Sequence, residues 1–230
     1  MSKQVTGHNI FSSKADEIRQ LITQVHAGND VLDDQEIDAA LGLERATVEK
    51  KLDFIDLVLL YGQHRLYQGD ISYNFIRELY RKLGVLKELG NFRISKILDL
   101  GSGYGRVLLY GSLLWPEISF CGIEMVLERV LEAQKVSKML GLNSIDLISG
   151  DATQISWPWA DCFLIMNSFA LSVLPKVLSQ LKELSKCRNF LIVSVWSTNA
   201  YLAEQQWLKE VIMKDFYNEK MGIKIFQTVK

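Results

Sequence analysis

Residues 96–105 read KILDLGSGYG, an apolar run that ends in an acid and is followed by three glycines at alternate positions. The apolar residues before the loop predict a strand buried on both faces, and the apolar spacing over residues 104–114 predicts a helix. Glycine permits positive φ and close approach of the backbone to a ligand, while N–H groups at the helix start point into the loop. The stretch therefore predicts a strand, a ligand-binding loop and a helix, with the loop glycines Gly101, Gly103 and Gly105.

The rest of the C-terminal two thirds alternates between strand-like and helix-like segments. Strands are predicted over residues 97–100, 119–123, 145–149, 161–167 and 190–196, and helices over residues 104–114, 126–140 and 173–185. This alternation favours a doubly wound parallel sheet with right-handed crossovers. Residues 207–216 and 223–229 predict a hairpin. We therefore predict an α/β, Rossmann-like, mostly parallel seven-stranded sheet with an antiparallel C-terminal edge hairpin.

The N-terminal region has the pattern of a helical lobe. Helices are predicted over residues 14–26 with Ser13 as cap, from Asp33 or Asp34 to residue 43, over residues 44–60, and over residues 73–87 with Ser72 as cap. Residues 13–60 hold five Lys/Arg and eleven Asp/Glu, which indicates either a solvated helix face or a surface for a basic partner. We expect an N-terminal helical segment over residues 1–66 and an α/β domain over residues 67–230.

The glycine loop departs from two common nucleotide-binding patterns. A phosphate-binding loop requires Gly-Lys-Ser/Thr, which the chain lacks. The dinucleotide pattern has glycine at its sixth position, where this chain has Arg106, a residue expected to crowd close packing of helix and strand. Asp99 at the strand end would repel a pyrophosphate but can accept a hydrogen bond from an ammonium group. The loop therefore favours a zwitterionic ligand.

The pattern Asp-x-Gly-x-Gly-x-Gly resembles that of class I S-adenosylmethionine (SAM) methyltransferases, and acids at later strand ends support SAM as the cofactor. Glu124 ends the second strand, where a carboxylate can accept both ribose hydroxyls, and Met125 would lie against adenine. Asp151, followed by Ala152, resembles the acid that accepts from the adenine amino group in this family. Glu124 as a helix N-terminal acid and Asp151 as a turn residue are the structural alternatives.

Two further segments resemble the non-SET histone lysine methyltransferases, the disruptor-of-telomeric-silencing family. Residues 167–170 read NSFA and are similar to the family's Asn-Asn-Phe-Ala-Phe motif, with Ser168 and Leu171 as departures. Residues 67–73 read YQGDISY and are similar to its Tyr-Gly-Glu-Ile-Ser-Phe loop, with one extra residue and Asp for Glu. The resemblance covers roughly residues 67–196.

This resemblance implies N-methylation of lysine in a protein substrate by in-line methyl transfer. Tyr67 and Phe169 are the candidate walls of an apolar channel that favours a neutral amine. Asn167 would accept from the amine or position the methionine part of SAM. Asp70 would accept from the SAM ammonium or cap the helix at Ser72. A small-molecule methyltransferase with a helical lid and a non-catalytic SAM-binding protein remain alternatives.

Composition narrows the possible partners. The formal net charge is −1 and no long basic tail is present, which argues against nucleic acid as a partner. The three cysteines are widely spaced, so we expect buried thiols at Cys121 and Cys162 and neither a disulfide framework nor a metal site. No apolar run approaches the roughly 20 residues that span a bilayer, and the N-terminus lacks a signal-peptide core. We expect a soluble cytoplasmic protein.

Overall fold

The computed structural model describes residues 8–53, 55, 58, 71–90, 92–213 and 221–229. The described helices before the first strand are α1 (His8–Ala27), α2 (Asp34–Leu41), α3 (Arg45–Glu49) and α4 (Tyr73–Glu88). The chain then continues as β1 (Lys96–Leu100), α5 (Arg106–Leu114), β2 (Ser119–Glu124), α6 (Leu127–Met139), β3 (Ile145–Ser149), β4 (Cys162–Ile165), α7 (Leu174–Ser185), β5 (Leu191–Val195), α8 (Ser197–Ala203), β6 (Leu208–Glu210) and β7 (Ile223–Thr228).

These strands form a seven-stranded sheet in the order β3-β2-β1-β4-β5-β7-β6. The first five strands in this order are mutually parallel, whereas β7 pairs antiparallel with both β5 and β6. The predicted fold class, including the antiparallel edge, is therefore confirmed. The first strand of the hairpin ends at Glu210, whereas it was predicted to continue to residue 216. Residues 214–220, which include the end of that predicted strand and most of the predicted connection, lie outside the described part.

The alternation of side chains along β1 divides the core between the two faces of the sheet. Ile97 packs with the helices α1, α4, α5 and α6, whereas Leu98 and Leu100 pack with α7 and α8. Cys121 and Cys162 are fully buried, as predicted, and Cys187 is exposed. None of the described helices is long and apolar enough to cross a membrane.

The N-terminal helices pack on this sheet layer through the same core. Ile18 and Ile22 of α1 belong to the buried cluster that contains α4 and α5. The predicted caps Asp33 and Ser72 are confirmed, since their side chains accept from backbone N–H groups of α2 and α4. The proposed boundary at residue 66 lies outside the described residues.

Two predicted helix limits are wrong. α1 begins at His8, so Ser13 lies inside the helix instead of capping it, a position that serine tolerates at modest cost. The helix predicted over residues 44–60 stops after Glu49, where Lys51 N and Leu52 N donate to the carbonyls of Val48 and Glu49. Hydrogen bonds to the third preceding residue tighten the last turn and end the helix.

Arg106 does not crowd the helix–strand contact, contrary to the sequence-based expectation, because its side chain points towards the N-terminal helices. The guanidinium is almost fully buried and binds both carboxylate oxygens of Asp38, with Nε to Oδ1 at 2.8 Å. Its Nη1 also donates to Asp34 and to the carbonyl of Ile71. The Asp38 carboxylate further accepts from Tyr73 Oη at 2.9 Å and from Arg45 Nη1 at 2.9 Å.

The acidic excess of the N-terminal region is therefore partly neutralised within the chain. The two sequence-based interpretations, a solvated helix face and a surface for a basic partner, did not include such internal ion pairs. Asp38 pairs with Arg106, Glu49 with Arg129, and Glu44 with Lys135. These arginines and lysines belong to α5 and α6. The charges hold the N-terminal helices against the sheet layer.

Replacing Asp38 with Ala should lower the free energy of unfolding by about 3 kcal/mol, because the buried Arg106 guanidinium loses the carboxylate that binds it through both oxygens and keeps the longer contact with Asp34 at 3.4 Å. Urea denaturation of the full chain measures this change. Glu183→Ala, which removes an exposed ion pair with Lys186, is the control and should change it by less than about 0.5 kcal/mol. Equal effects of the two substitutions would contradict a structural role for the Asp38–Arg106 pair.

Candidate functional site

A cavity of about 360 Å³ opens at the carboxyl ends of β1, β2, β3 and β4. Open α/β sheets bind ligands at this edge, and the volume lies in the range of roughly 300–1,000 Å³ for small-molecule sites. The sequence-predicted residues that line it are Asp99, Gly101, Gly103, Glu124, Met125, Asp151, Ala152, Asn167 and Phe169. Tyr67 and Asp70 lie outside the described residues, although Ile71, next to Asp70, lines the cavity.

The three loop glycines all have positive φ, but they differ in the atoms that surround them. Gly103 has φ of 53° and a Cβ there would meet nothing within 4 Å, so its free face is open. Gly101 has φ of 82°, and a Cβ there would lie 2.3 Å from Ser168 Cβ. Gly105 is the N-cap that precedes α5, and it packs near Ala133 rather than lining the cavity. Gly101 thus brings the β1 loop against the β4 loop.

Asp99 is a buried acid whose Oδ1 has no hydrogen-bond partner. Burial, and then the nearby charge of Glu124, raise the pKa of Asp99 from 3.8 to about 7. An unpartnered carboxylate in a cavity costs stability unless a ligand supplies a donor or a positive charge. The arrangement therefore suits a ligand with a cationic hydrogen-bond donor.

Glu124 at the end of β2 is held in place by backbone donors. Its Oε2 accepts from Gly103 N at 2.9 Å, and its Oε1 accepts from Val126 N at 3.0 Å. A carboxylate has about four acceptor positions, so these two hydrogen bonds orient it without exhausting its capacity. Glu124 can still accept a pair of hydroxyl groups from a ligand.

Asp151 lines the cavity, and its side chain also makes the hydrogen bonds of a turn residue, which was the structural alternative to a ligand contact. Its Oδ1 accepts from both Thr153 N and Thr153 Oγ1 at 2.8 Å. Met125 and Ala152, which follow the acids of β2 and β3, line the same cavity. The side chains after β2 and β3 therefore form one wall of the cavity, and this wall has both polar and apolar surface.

The loop after β4 forms the opposite wall. Asn167 has φ of 60°, a conformation that non-glycine residues rarely adopt and that often marks a functional position. Ser197 Oγ donates to Asn167 Oδ1 at 3.4 Å. Phe169 is half-buried and lines the cavity.

The cavity lining also includes five residues that no sequence pattern predicted as part of the site, namely Arg45, Glu49, Tyr104, Arg106 and Arg129. Glu49 lies 55 positions from Tyr104 and 80 positions from Arg129 along the chain, yet it accepts hydrogen bonds from both. No local pattern announces such contacts. An acid inside an amphipathic helical segment looks like an ordinary solvated residue.

No protein-family model matches the sequence, and a search of curated protein sequences found no significant match. Among solved structures, the YcgJ protein from Bacillus subtilis shares 20% identity over 51% of each chain, with a TM-score of 0.38. A SAM-dependent methyltransferase from Aquifex aeolicus shares 18% identity over 80% of this chain and 96% of that one, with a TM-score of 0.47.

The putative methyltransferase yhhF from Escherichia coli shares 14% identity with this chain, over 72% of this chain and 92% of that one, and its TM-score is 0.53. At this identity the likeness concerns the fold. The chain shares its Rossmann-like fold with this putative methyltransferase, and its own sheet is seven-stranded and mostly parallel with antiparallel edge strands.

Asp99 should make the protein less stable as the pH rises, whereas an acid whose pKa is lowered by an ion pair makes a protein more stable as the pH rises. Between pH 4 and pH 7 the unfolded chain loses this proton while the folded protein retains it, so the raised pKa destabilises the fold as pH rises. The stability of Asp99→Asn relative to the unaltered protein should therefore increase by about 4 kcal/mol between pH 4 and pH 8.

Urea denaturation of both proteins at the two pH values measures this difference, and any constant cost of the buried amide cancels. A stability difference that does not change with pH would show that Asp99 is ionised throughout.

Proposed function

We propose that the protein is a SAM-dependent methyltransferase whose cofactor binds in the cavity at the carboxyl edge of the sheet. The observation that carries the proposal is the grouping of Asp99, Glu124 and Asp151 around one cavity at the ends of three adjacent strands. The Rossmann-like methyltransferase fold supports it. A fold alone does not define an activity, so the chemistry of the site residues is stronger support for the proposal than the fold.

The residues present fit the chemical groups of SAM. The unpartnered Asp99 oxygen suits the ammonium group at the amino acid end of SAM, and the oriented Glu124 carboxylate suits the two ribose hydroxyls. Met125 and Ala152 supply apolar surface for adenine, and Asp151 an acceptor for its amino group. The open face of Gly103 leaves room for the ligand beside the loop.

For the methyl acceptor we propose the side-chain amine of a lysine in a protein. Asn167 and Phe169, from the segment that resembles the lysine methyltransferase motif, line the cavity, as does Ile71 from the second similar segment. An amine must lose its proton before it can attack, and apolar side chains such as Phe169 favour the neutral form by desolvation. Asn167 Oδ1 offers an acceptor that would orient the amine.

When bound, SAM supplies a methyl group that its positively charged sulfur activates for in-line attack by a nucleophile, with the thioether as the leaving group. The residues of the chain then contribute mainly by alignment. Glu124 and Asp99 would hold the two ends of the cofactor, while Asn167 and Phe169 would position the acceptor. The proton that the amine gives up before it attacks would pass to water, and Asn167 would accept from a remaining N–H and so orient the nitrogen lone pair.

One observation favours a small-molecule acceptor as the second candidate. Arg45 and Glu49 of the N-terminal region line the cavity, so α3 covers part of it. A helical cover of this kind is what a lid over a small substrate requires. The acceptor experiment below separates the two candidates.

Glu124→Gln should weaken SAM binding about tenfold or more, because hydrogen bonds to an ionised carboxylate are worth about 1.5–3 kcal/mol. Isothermal titration calorimetry with SAM and S-adenosylhomocysteine measures the dissociation constants. Glu128→Gln, an exposed acid in the first turn of α6, is the matched control and should bind normally. Undiminished binding by Glu124→Gln would remove Glu124 from the cofactor site.

Methyl-tritiated SAM incubated with the protein and a cell extract should label a protein band, because the proposed acceptor is a lysine side chain. Amino acid analysis of the labelled band should yield methyllysine, and Glu124→Gln should give less label. Label found exclusively in small metabolites would favour the second candidate. Cofactor binding with no transfer to any fraction would indicate a non-catalytic SAM-binding protein.

A further inference from the structure

The carboxylate of Glu49, at the end of α3, joins two separate segments of the candidate site. Its Oε1 accepts from Tyr104 Oη at 2.8 Å and from Arg129 Nε at 2.8 Å. Tyr104 lies in the glycine loop after β1, between Gly103 and Gly105. Arg129 lies in α6, which follows β2. One acid from the N-terminal region thus binds both the loop after β1 and the helix after β2, and both segments contribute residues to the cavity lining.

The surroundings of Tyr104 reinforce this connection. Its ring is almost fully buried, with Arg45 Cζ 5.5 Å and Arg129 Cζ 5.9 Å from the ring centroid. Both distances allow cation–π attraction, which arginine makes more often than lysine. Glu49, Tyr104 and both arginines line the same cavity as Asp99 and Glu124.

The protonation states suit this contact at neutral pH. Partial burial alone would raise the pKa of Glu49, but the hydrogen bonds from Arg129 and Tyr104 outweigh it and hold that pKa below its usual value. Burial and the hydrogen bond to Glu49 hold the pKa of Tyr104 well above its usual range. Glu49 is therefore ionised, and the Tyr104 hydroxyl keeps the proton that it donates.

The contact acts on the glycine loop of the site. Gly101, Gly103 and Gly105 leave the loop with little intrinsic rigidity. Glu124 accepts from Gly103 N, and Glu49 accepts from the side chain of the next residue, Tyr104. Two carboxylates from different elements therefore hold consecutive residues of the loop. A loop held in its binding arrangement loses less entropy when a ligand arrives.

We propose that Glu49 is a positioning residue for the cofactor, which holds the glycine loop and α6 in the arrangement that binds SAM. The inference rests on the proposed function and extends it, since it makes the N-terminal region part of the cofactor site and not merely a cover. Glu49 acts through Tyr104 and Arg129. It need not touch the reacting atoms.

The test compares Glu49→Gln, Tyr104→Phe and the double variant in the full chain. Calorimetry gives the dissociation constants of SAM and S-adenosylhomocysteine, and thermal melting without ligand gives the stability of each variant. Each single substitution should weaken binding about five- to tenfold, because Glu49 is partly exposed and solvent screens its charge. The double variant should bind no more weakly than Glu49→Gln alone, because Glu49→Gln already removes the charge to which Tyr104 donates.

Glu44→Gln is the matched control on the same segment. Its side chain is largely exposed and pairs with Lys135 at 3.7 Å, and Glu44 does not line the cavity. This variant should bind both ligands within about twofold of the unaltered protein. A similar loss in Glu44→Gln would show that any charge change in the N-terminal region has the same effect.

The outcomes separate this inference from the proposed function. Unaltered protein that binds neither ligand overturns both. Unaltered protein that binds both ligands, together with Glu49→Gln that binds equally well, overturns the inference alone, even if the variant melts at a lower temperature. Losses from Glu49→Gln and Tyr104→Phe that simply add in the double variant also overturn it.

Discussion

The buried ion pair between Arg106 and Asp38 is the interaction on which the arrangement of the site depends. Arg106 begins α5, directly after the glycine loop, and its guanidinium has almost no access to water. A buried charge without a partner costs several kcal/mol, so α2 must be in place to supply Asp38. Because Arg106 also binds the carbonyl of Ile71, this one side chain joins the N-terminal helices, the start of α4 and the loop of the cavity.

Inside the cavity, the buried acid Asp99 lies near a second acid, Glu124, and Asp99 Oδ1 has no hydrogen-bond partner. Burial and the charge of Glu124 keep the pKa of Asp99 near 7, so the acid resists ionisation in the ligand-free protein. A ligand with a positive charge relieves both the desolvation and the repulsion. Burying Asp99 therefore costs stability at this site.

Much of the fold follows from local patterns along the chain. Short apolar runs that alternate with amphipathic segments predicted every strand of the parallel sheet, because strands covered on both faces must be apolar throughout. Helix ends were less predictable. Ser13 looks like a cap but lies within α1, and the helix predicted to residue 60 ends at Glu49. Backbone hydrogen bonds and tertiary packing decide these limits, whereas propensity is a weak guide.

The sequence by itself determined the sheet and the acids at its strand ends, because strand, loop and helix follow one another within about ten residues around Asp99. Only the tertiary structure decided the roles of Arg106 and Glu49. Arg106 looked like an obstacle to packing, yet it binds Asp38, which lies 68 positions away. Glu49 looked like one more surface acid, yet it contacts Tyr104 and Arg129. Such contacts join residues far apart in the chain, and their partners are defined only once the sheet has brought the segments together.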